Sequence, residues 1–177
     1  MDEIKKFKPL IQSRRSIRIK GYDYSLAGAY FVTIATYQRV CLFGKVVNGV
    51  ILLNPYGSIA FEQWTRLGKR FRLSNFSTFV IMPNHIHGII NIDMGAGEES
   101  LKSHDQISPL RPSLPNVASG SLGAIVRAYK ASVTYRINVM RGFTYPPVWQ
   151  RNYYDHIICN EKDYENIWNY IETNPRS

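Results

Sequence analysis

The sequence predicts an α+β fold: a single domain in which an antiparallel β-sheet carries helices packed on it. Three observations lead there. Segments rich in β-branched and aromatic residues recur at 29–38, 41–54, 79–92 and 154–159, and three segments with helical periodicity stand between or after them. Their order, β, ββ, α, ββ, α, β, α, joins neighbouring strands through tight turns, which makes them antiparallel. With 177 residues, 45% of them hydrophobic, the chain is long enough for one substantial core and too short for two.

Taken in order, residues 1–20 ("KKFK", "SRRSIRIK") are polar and basic and read as an N-terminal arm ahead of a domain spanning 21–177. Ala29 to Gln38, "AYFVTIATYQ", reads as a buried strand. Asn48-Gly49 divides two short apolar runs and predicts a hairpin, because both central turn positions need positive φ. After Pro55, the spacing of Ile59, Gln63, Trp64 and Leu67 predicts a helix to about Arg72. Pro83-Asn84 predicts a second hairpin whose return strand opens at His85, since Pro pre-sets φ for the first turn position and Asn tolerates the second. Residues 93–120 turn to Gly, Ser, Pro and charge and read as an irregular insertion loop. Ser121 is placed to cap a helix whose apolar face is Leu122, Ile125, Val126, Tyr129, Val133, Ile137 and Met140. A strand at Tyr154 to Cys159 follows. A last helix has Asn160 as its cap, acids in its first turn and Pro175 beyond its end.

A net charge of +9 favours a polyanionic partner, nucleic acid or an anionic surface. The 12 Tyr, 8 Phe and 3 Trp among the basic residues suit single strands, whose unstacked bases can lie on rings, although a tyrosine-rich core accounts for most of them equally well. Cys41 and Cys159 form no CxxC pair, so neither a zinc ribbon nor a disulfide framework is signalled. The start lacks a signal-peptide core and no apolar run approaches the ~20 residues of a membrane span, so a cytoplasmic protein is expected.

Two of the four histidines stand in "MPNHIHGII". Side chains two apart in a strand share a face, so His85 and His87 project together and could share a metal. Two ordinary sheet histidines would look the same. Tyr170 and Asn174, four apart on the last helix, can bring a phenol and an amide oxygen to one point; packing and a C-terminal cap are the plainer readings.

"MPNHIHGI", followed after a basic helix by "VWQRNYYDHII" and then "YIETNP", resembles the single-tyrosine HUH transposases, in particular the REP-associated tyrosine transposases of bacteria, over Ala29 to Pro175. The resemblance implies a ferredoxin-like or RRM-like HUH nuclease fold. It also implies a metal-dependent nuclease and strand transferase for single-stranded DNA that cuts and rejoins at short REP-like hairpins. In it His85 and His87 bind a divalent metal, Mg²⁺ or Mn²⁺, and Tyr170 is the nucleophile that forms a 5′-phosphotyrosine. Asn174, where many relatives carry glutamine, completes the metal site. The family includes monomers and homodimers.

Further residues are expected to touch DNA: Arg127, Lys130 and Arg136 at phosphates, and Arg151 and Tyr154 within "WQRNYYDH". A solvated helix face explains the first three nearly as well. Tyr153 and Tyr154, beside Asp155 and His156, are weaker candidates for the nucleophile. Two other functions fit the same residues: a domesticated DNA-binding protein that no longer cuts, and a metal phosphodiesterase using activated water.

Overall fold

The computed structural model describes residues 22–71, 78–93 and 120–174; the basic arm at 1–20 and nearly all of the loop at 93–120 lie outside them. Within that range the expected order of elements is present. Strand β1 (Gly28–Ala35) is followed by a hairpin, β2 (Gly44–Val47) and β3 (Val50–Leu53), and by helix α1 (Pro55–Phe71). A second hairpin, β4 (Phe79–Met82) and β5 (His85–Ile92), precedes helix α2 (Leu122–Arg141), strand β6 (Tyr154–Ile158) and helix α3 (Glu161–Thr173).

Local chemistry sets most boundaries. Asn48 and Gly49 both take positive φ (51° and 73°), as a two-residue hairpin turn requires. The Asn54 side chain accepts from Gly57 N and starts α1 at Pro55, where the missing N–H costs nothing. Ser121 Oγ accepts from Ala124 N, and Asn160 Oδ1 from Asp163 N, so the predicted caps of α2 and α3 are in place.

The main sheet has the order β4-β5-β1-β6, with all pairs antiparallel. β2 and β3 do not join it but form a separate two-stranded sheet. β1 also ends sooner than its sequence suggests. At Thr36 the backbone N–H and the side-chain hydroxyl both donate to Asn84 O, the hydroxyl donates also to Val40 O, and Tyr37 N–H turns to Val148 O. The chain leaves the sheet there in a tight turn, Tyr37–Arg39, in which Gln38 and Arg39 both adopt left-handed φ (51° and 55°).

The sheet's two faces carry different layers. Tyr30, Val32, Ile34, Ile86 and Ile90 point to the larger core, where α1 and α2 supply Trp64, Leu67, Ile125, Tyr129, Val133 and Ile137. Trp64 of α1 lies against Gly88, the one position in mid-strand β5 where any side chain would occupy the indole's space. On the opposite face Phe31 and Ile89 are covered by Ile167 and Ile171 of α3, all four fully or almost fully buried. Burying each such side chain contributes about 1.5–3 kcal/mol before entropy, against about 1 kcal/mol for a single hydrogen bond. The apolar seam therefore holds α3 to the sheet more than the bond from His156 Nε2 to Asp163 Oδ2 (2.9 Å) does.

Candidate active site

Alternation along β5 puts His85, His87 and Ile89 on the α3 face. The register carries Thr33 of β1 opposite His87 on one side and Val80 of β4 opposite it on the other. Tyr154 of β6 is aligned with Thr33, so it too shares that face. α3 crosses above with its amphipathic stripe inward, and Tyr170, one residue before buried Ile171, reaches the histidines.

The distances are short. His85 Nε2 and His87 Nε2 are 3.0 Å apart, and Tyr170 Oη lies 3.3 Å from His87 Nε2. The His87 ring stacks on Phe31, with centroids 5.2 Å apart, while Tyr170 meets both Phe31 and His87 edge-on. Each histidine's other nitrogen faces an oxygen: Asn84 Oδ1 is 2.6 Å from His85 Nδ1, and Thr33 Oγ1 is 2.8 Å from His87 Nδ1. Asn174 follows Tyr170 by one helical turn, caps α3 and is buried.

Electrostatics keep the rings neutral. Burial, and second the positive charge of Arg39, lower the pKa of His85 to about 4. His87 lies well below the ordinary imidazole range through burial, then His85 and Arg39. A neutral imidazole is the form that ligates a metal. Among the described residues no group of three or more His, Cys, Asp or Glu could hold an ion. A shell built on this pair would draw its remaining donors from the Asn174 amide, Tyr170, water or substrate oxygens, a hard mixed N/O set of the kind that suits Mg²⁺ or Mn²⁺ rather than a closed zinc site.

The other predicted site residues are placed differently. α2 packs on the face opposite α3, so Arg127, Lys130 and Arg136 lie across the sheet from Tyr170. Lys130 Nζ donates to Gln150 O and Asn152 O (2.8 and 3.0 Å), and burial lowers its pKa to about 8. Arg136 Nη1 bonds Glu62 Oε2 at 3.0 Å, and Arg66 pairs with the same carboxylate. Arg127 is exposed and, with Lys130, Tyr135, Asn138, Trp149 and Tyr153, lines a groove of about 660 Å³. Arg151 is exposed just before β6. Tyr154 stands edge-on to Phe31 at 6.5 Å, its pKa raised by burial and by Asp155, while Tyr153 packs against the other core.

Sequence reading passed over three neighbours of the pair: Thr33, Asn84 and Arg39. Asn84 was legible only as a turn residue, and Thr33 becomes a neighbour of His87 only once β1 is known to pair with β5. No sequence signal distinguishes Arg39 from other surface arginines.

An uncharacterized protein of Haemophilus influenzae is 40% identical to this chain over 174 residues, covering 96% of the chain and 92% of that protein. The chain belongs to the same family as that protein. No protein-family model matches this chain. Among solved structures, this chain's fold is similar to that of a REP-associated tyrosine transposase bound to a REP hairpin, with a TM-score of 0.57, 18% identity, and coverage of 93% of this chain and 73% of that one. The α+β architecture with an antiparallel sheet and three helices is thus one that a tyrosine transposase also uses. No helix among the described residues is long and apolar enough to cross a membrane.

Proposed function

We propose that the chain is a metal-dependent nuclease and strand transferase for single-stranded DNA, cutting and rejoining at REP-like hairpins through a 5′-phosphotyrosine on Tyr170. One observation carries the reading: His87 Nε2 has both His85 Nε2 (3.0 Å) and Tyr170 Oη (3.3 Å) beside it, on a fold similar to that of a hairpin-bound tyrosine transposase. The net charge of +9 agrees with a DNA partner.

His85 and His87 would hold Mg²⁺ or Mn²⁺ through Nε2, with the Asn174 amide oxygen as a further ligand. Such an ion supplies Lewis-acid polarisation of the scissile phosphate and offsets its growing charge. The protein does the rest. Packing of Ile167 and Ile171 holds α3 in place so that Tyr170 Oη is presented at the site rather than sampling solvent. A tyrosine hydroxyl is a weak nucleophile until its proton leaves as Oη attacks phosphorus. The P–O3′ bond breaks, the departing 3′-oxygen takes up a proton, and the 5′-phosphate remains on Tyr170. Attack by another 3′-hydroxyl reverses the sequence without ATP. Tyr154 shares the sheet face of the reacting centre, and Arg151 would meet DNA from the exposed turn before β6, whereas contacts from Arg127, Lys130 and Arg136 would fall on DNA away from the reacting phosphate.

The test is a denaturing gel of wild type and Tyr170→Phe incubated with Mn²⁺ or Mg²⁺ and labelled single strands of the hairpin repeats flanking the gene. A protease-sensitive shifted band in the wild type alone is expected, with His85→Ala binding the hairpin but leaving it intact. An adduct formed by Tyr170→Phe refutes the assignment of the nucleophile. Hairpin binding with neither adduct nor cleaved strand in either metal makes the chain a DNA-binding protein that does not cut, and cleaved strand without an adduct makes it a phosphodiesterase using activated water.

A further inference from the structure

The hydrogen bonds around the histidine pair allow one arrangement of protons. An amide oxygen only accepts, so Asn84 Oδ1, 2.6 Å from His85 Nδ1, requires that nitrogen to carry the hydrogen. His85 Nε2 then has a bare lone pair. At 3.0 Å from it, His87 Nε2 must be the donor, which places the single hydrogen of this neutral ring on Nε2, leaves Nδ1 bare and lets Tyr170 Oη, 3.3 Å from the same Nε2, meet it only as an acceptor. His87 Nδ1 therefore accepts the Thr33 hydroxyl at 2.8 Å.

Ligation reverses that last bond. A cation shared by both Nε2 atoms needs both lone pairs, so the His87 hydrogen has to move to Nδ1, where it needs an oxygen that accepts. His85 is already in the required tautomer; His87 is not. A hydroxyl can serve either state, because its hydrogen rotates away as its lone pair turns toward the ring. No proton is gained or lost in the exchange, only relocated between the nitrogens of one neutral imidazole.

We propose that Thr33 is a positioning residue that sets the tautomer of His87, donating to Nδ1 in the empty site and accepting from Nδ1–H when both Nε2 atoms hold a divalent cation. The inference rests on the reading of the pair as a metal site. It assigns unlike duties to the two supporting oxygens: Asn84 holds one tautomer permanently, and Thr33 permits two. Partners of this kind on the far nitrogen of a ligating histidine alter metal affinity about 10–100-fold when removed.

The experiment uses the full chain, ¹⁵N-labelled at histidine, as wild type, Thr33→Val and Thr33→Ser. Long-range ¹H–¹⁵N spectra report which ring nitrogen carries the hydrogen, and Mn²⁺ titration followed by electron paramagnetic resonance reports affinity. Expected in the metal-free wild type is Nδ1–H on His85 and Nε2–H on His87, with His87 changing to Nδ1–H when Mg²⁺ is added. Thr33→Val should bind Mn²⁺ about 10–100-fold more weakly, and Thr33→Ser should stay within a few-fold of wild type. Equal Mn²⁺ affinity in wild type and Thr33→Val overturns the inference, as does a metal-free wild type with His87 already Nδ1–H. Should Thr33→Val fail to fold, the wild-type spectra and the serine variant still decide. A folded wild type with the expected metal-free tautomers that takes up no Mn²⁺ at millimolar concentration overturns the metal reading itself, an outcome the spectra tell apart from failure of the Thr33 assignment.

Discussion

Mild acid should destabilise the protein through His85. Burial first, and the charge of Arg39 second, bring its pKa from 6.5 to about 4 in the folded chain, whereas in the unfolded chain the ring returns to its ordinary value. Between those values the unfolded state binds more protons than the folded state. Stability is therefore full above pH 6.5, falls as the pH drops toward 4 and levels off below. At about 1.4 kcal/mol for each pH unit of difference, the whole window is worth about 3 kcal/mol, and at pH 4.5 about 2.5 kcal/mol of it is already lost. His87, held low by burial, His85 and Arg39, acts in the same direction. The assay is urea unfolding in chelator-containing buffer at pH 7 and pH 4.5, wild type beside His85→Asn. Other titrating groups cancel in the comparison, and the wild type should lose about 2.5 kcal/mol more than the variant. Equal losses in the two proteins would refute the argument that a half-buried, uncharged His85 sits at the sheet rim.

Three further outcomes follow from particular contacts. Gly88→Ala places a methyl in the space of the Trp64 ring, with Cη2 at 2.8 Å and Phe79 Cβ at 3.1 Å. It should lower stability by about 1–3 kcal/mol in urea unfolding, because an indole this tightly packed has nowhere to go. Asn160→Ala removes the cap on Asp163 N and should cost about 1 kcal/mol, read as a lower thermal midpoint. Arg39→Ala removes the lesser cause of the histidines' low pKa. Their titration followed by NMR should move upward in pH by less than about one unit, since burial remains; an unchanged midpoint would show that Arg39 does not act on the pair.

The value of the site lies in how few parts make it. Two alternate positions of one strand supply the imidazoles, and one residue of the helix above supplies the phenol. The rest of the molecule holds these pieces still: the α1–α2 layer supports the sheet from behind, and a seam of Phe31, Ile89, Ile167 and Ile171 sets the height of α3 above it.

The sequence by itself determined the local half of this protein. Caps at Ser121 and Asn160, the Asn48-Gly49 and Pro83-Asn84 turns, and the shared orientation of His85 and His87 depend on residues within a few positions of one another, and side-chain chemistry decides them directly. Alternation and helical periodicity likewise named the two apolar faces and hence the class of fold. Tertiary structure alone decided which strands meet. That β1 lies between β5 and β6 brings Thr33 to His87 across 54 positions, and that β2 and β3 stand apart leaves Tyr37–Arg39 free to turn beside the site. Basic residues show the same divide: their number was legible in the chain, but only packing drew Lys130 onto two carbonyls and Arg136 onto Glu62 while setting the charge of Arg39 toward the histidines. Periodicity states which face a residue is on; it carries no record of what the opposite element places there, because that depends on contacts between distant segments formed only on folding.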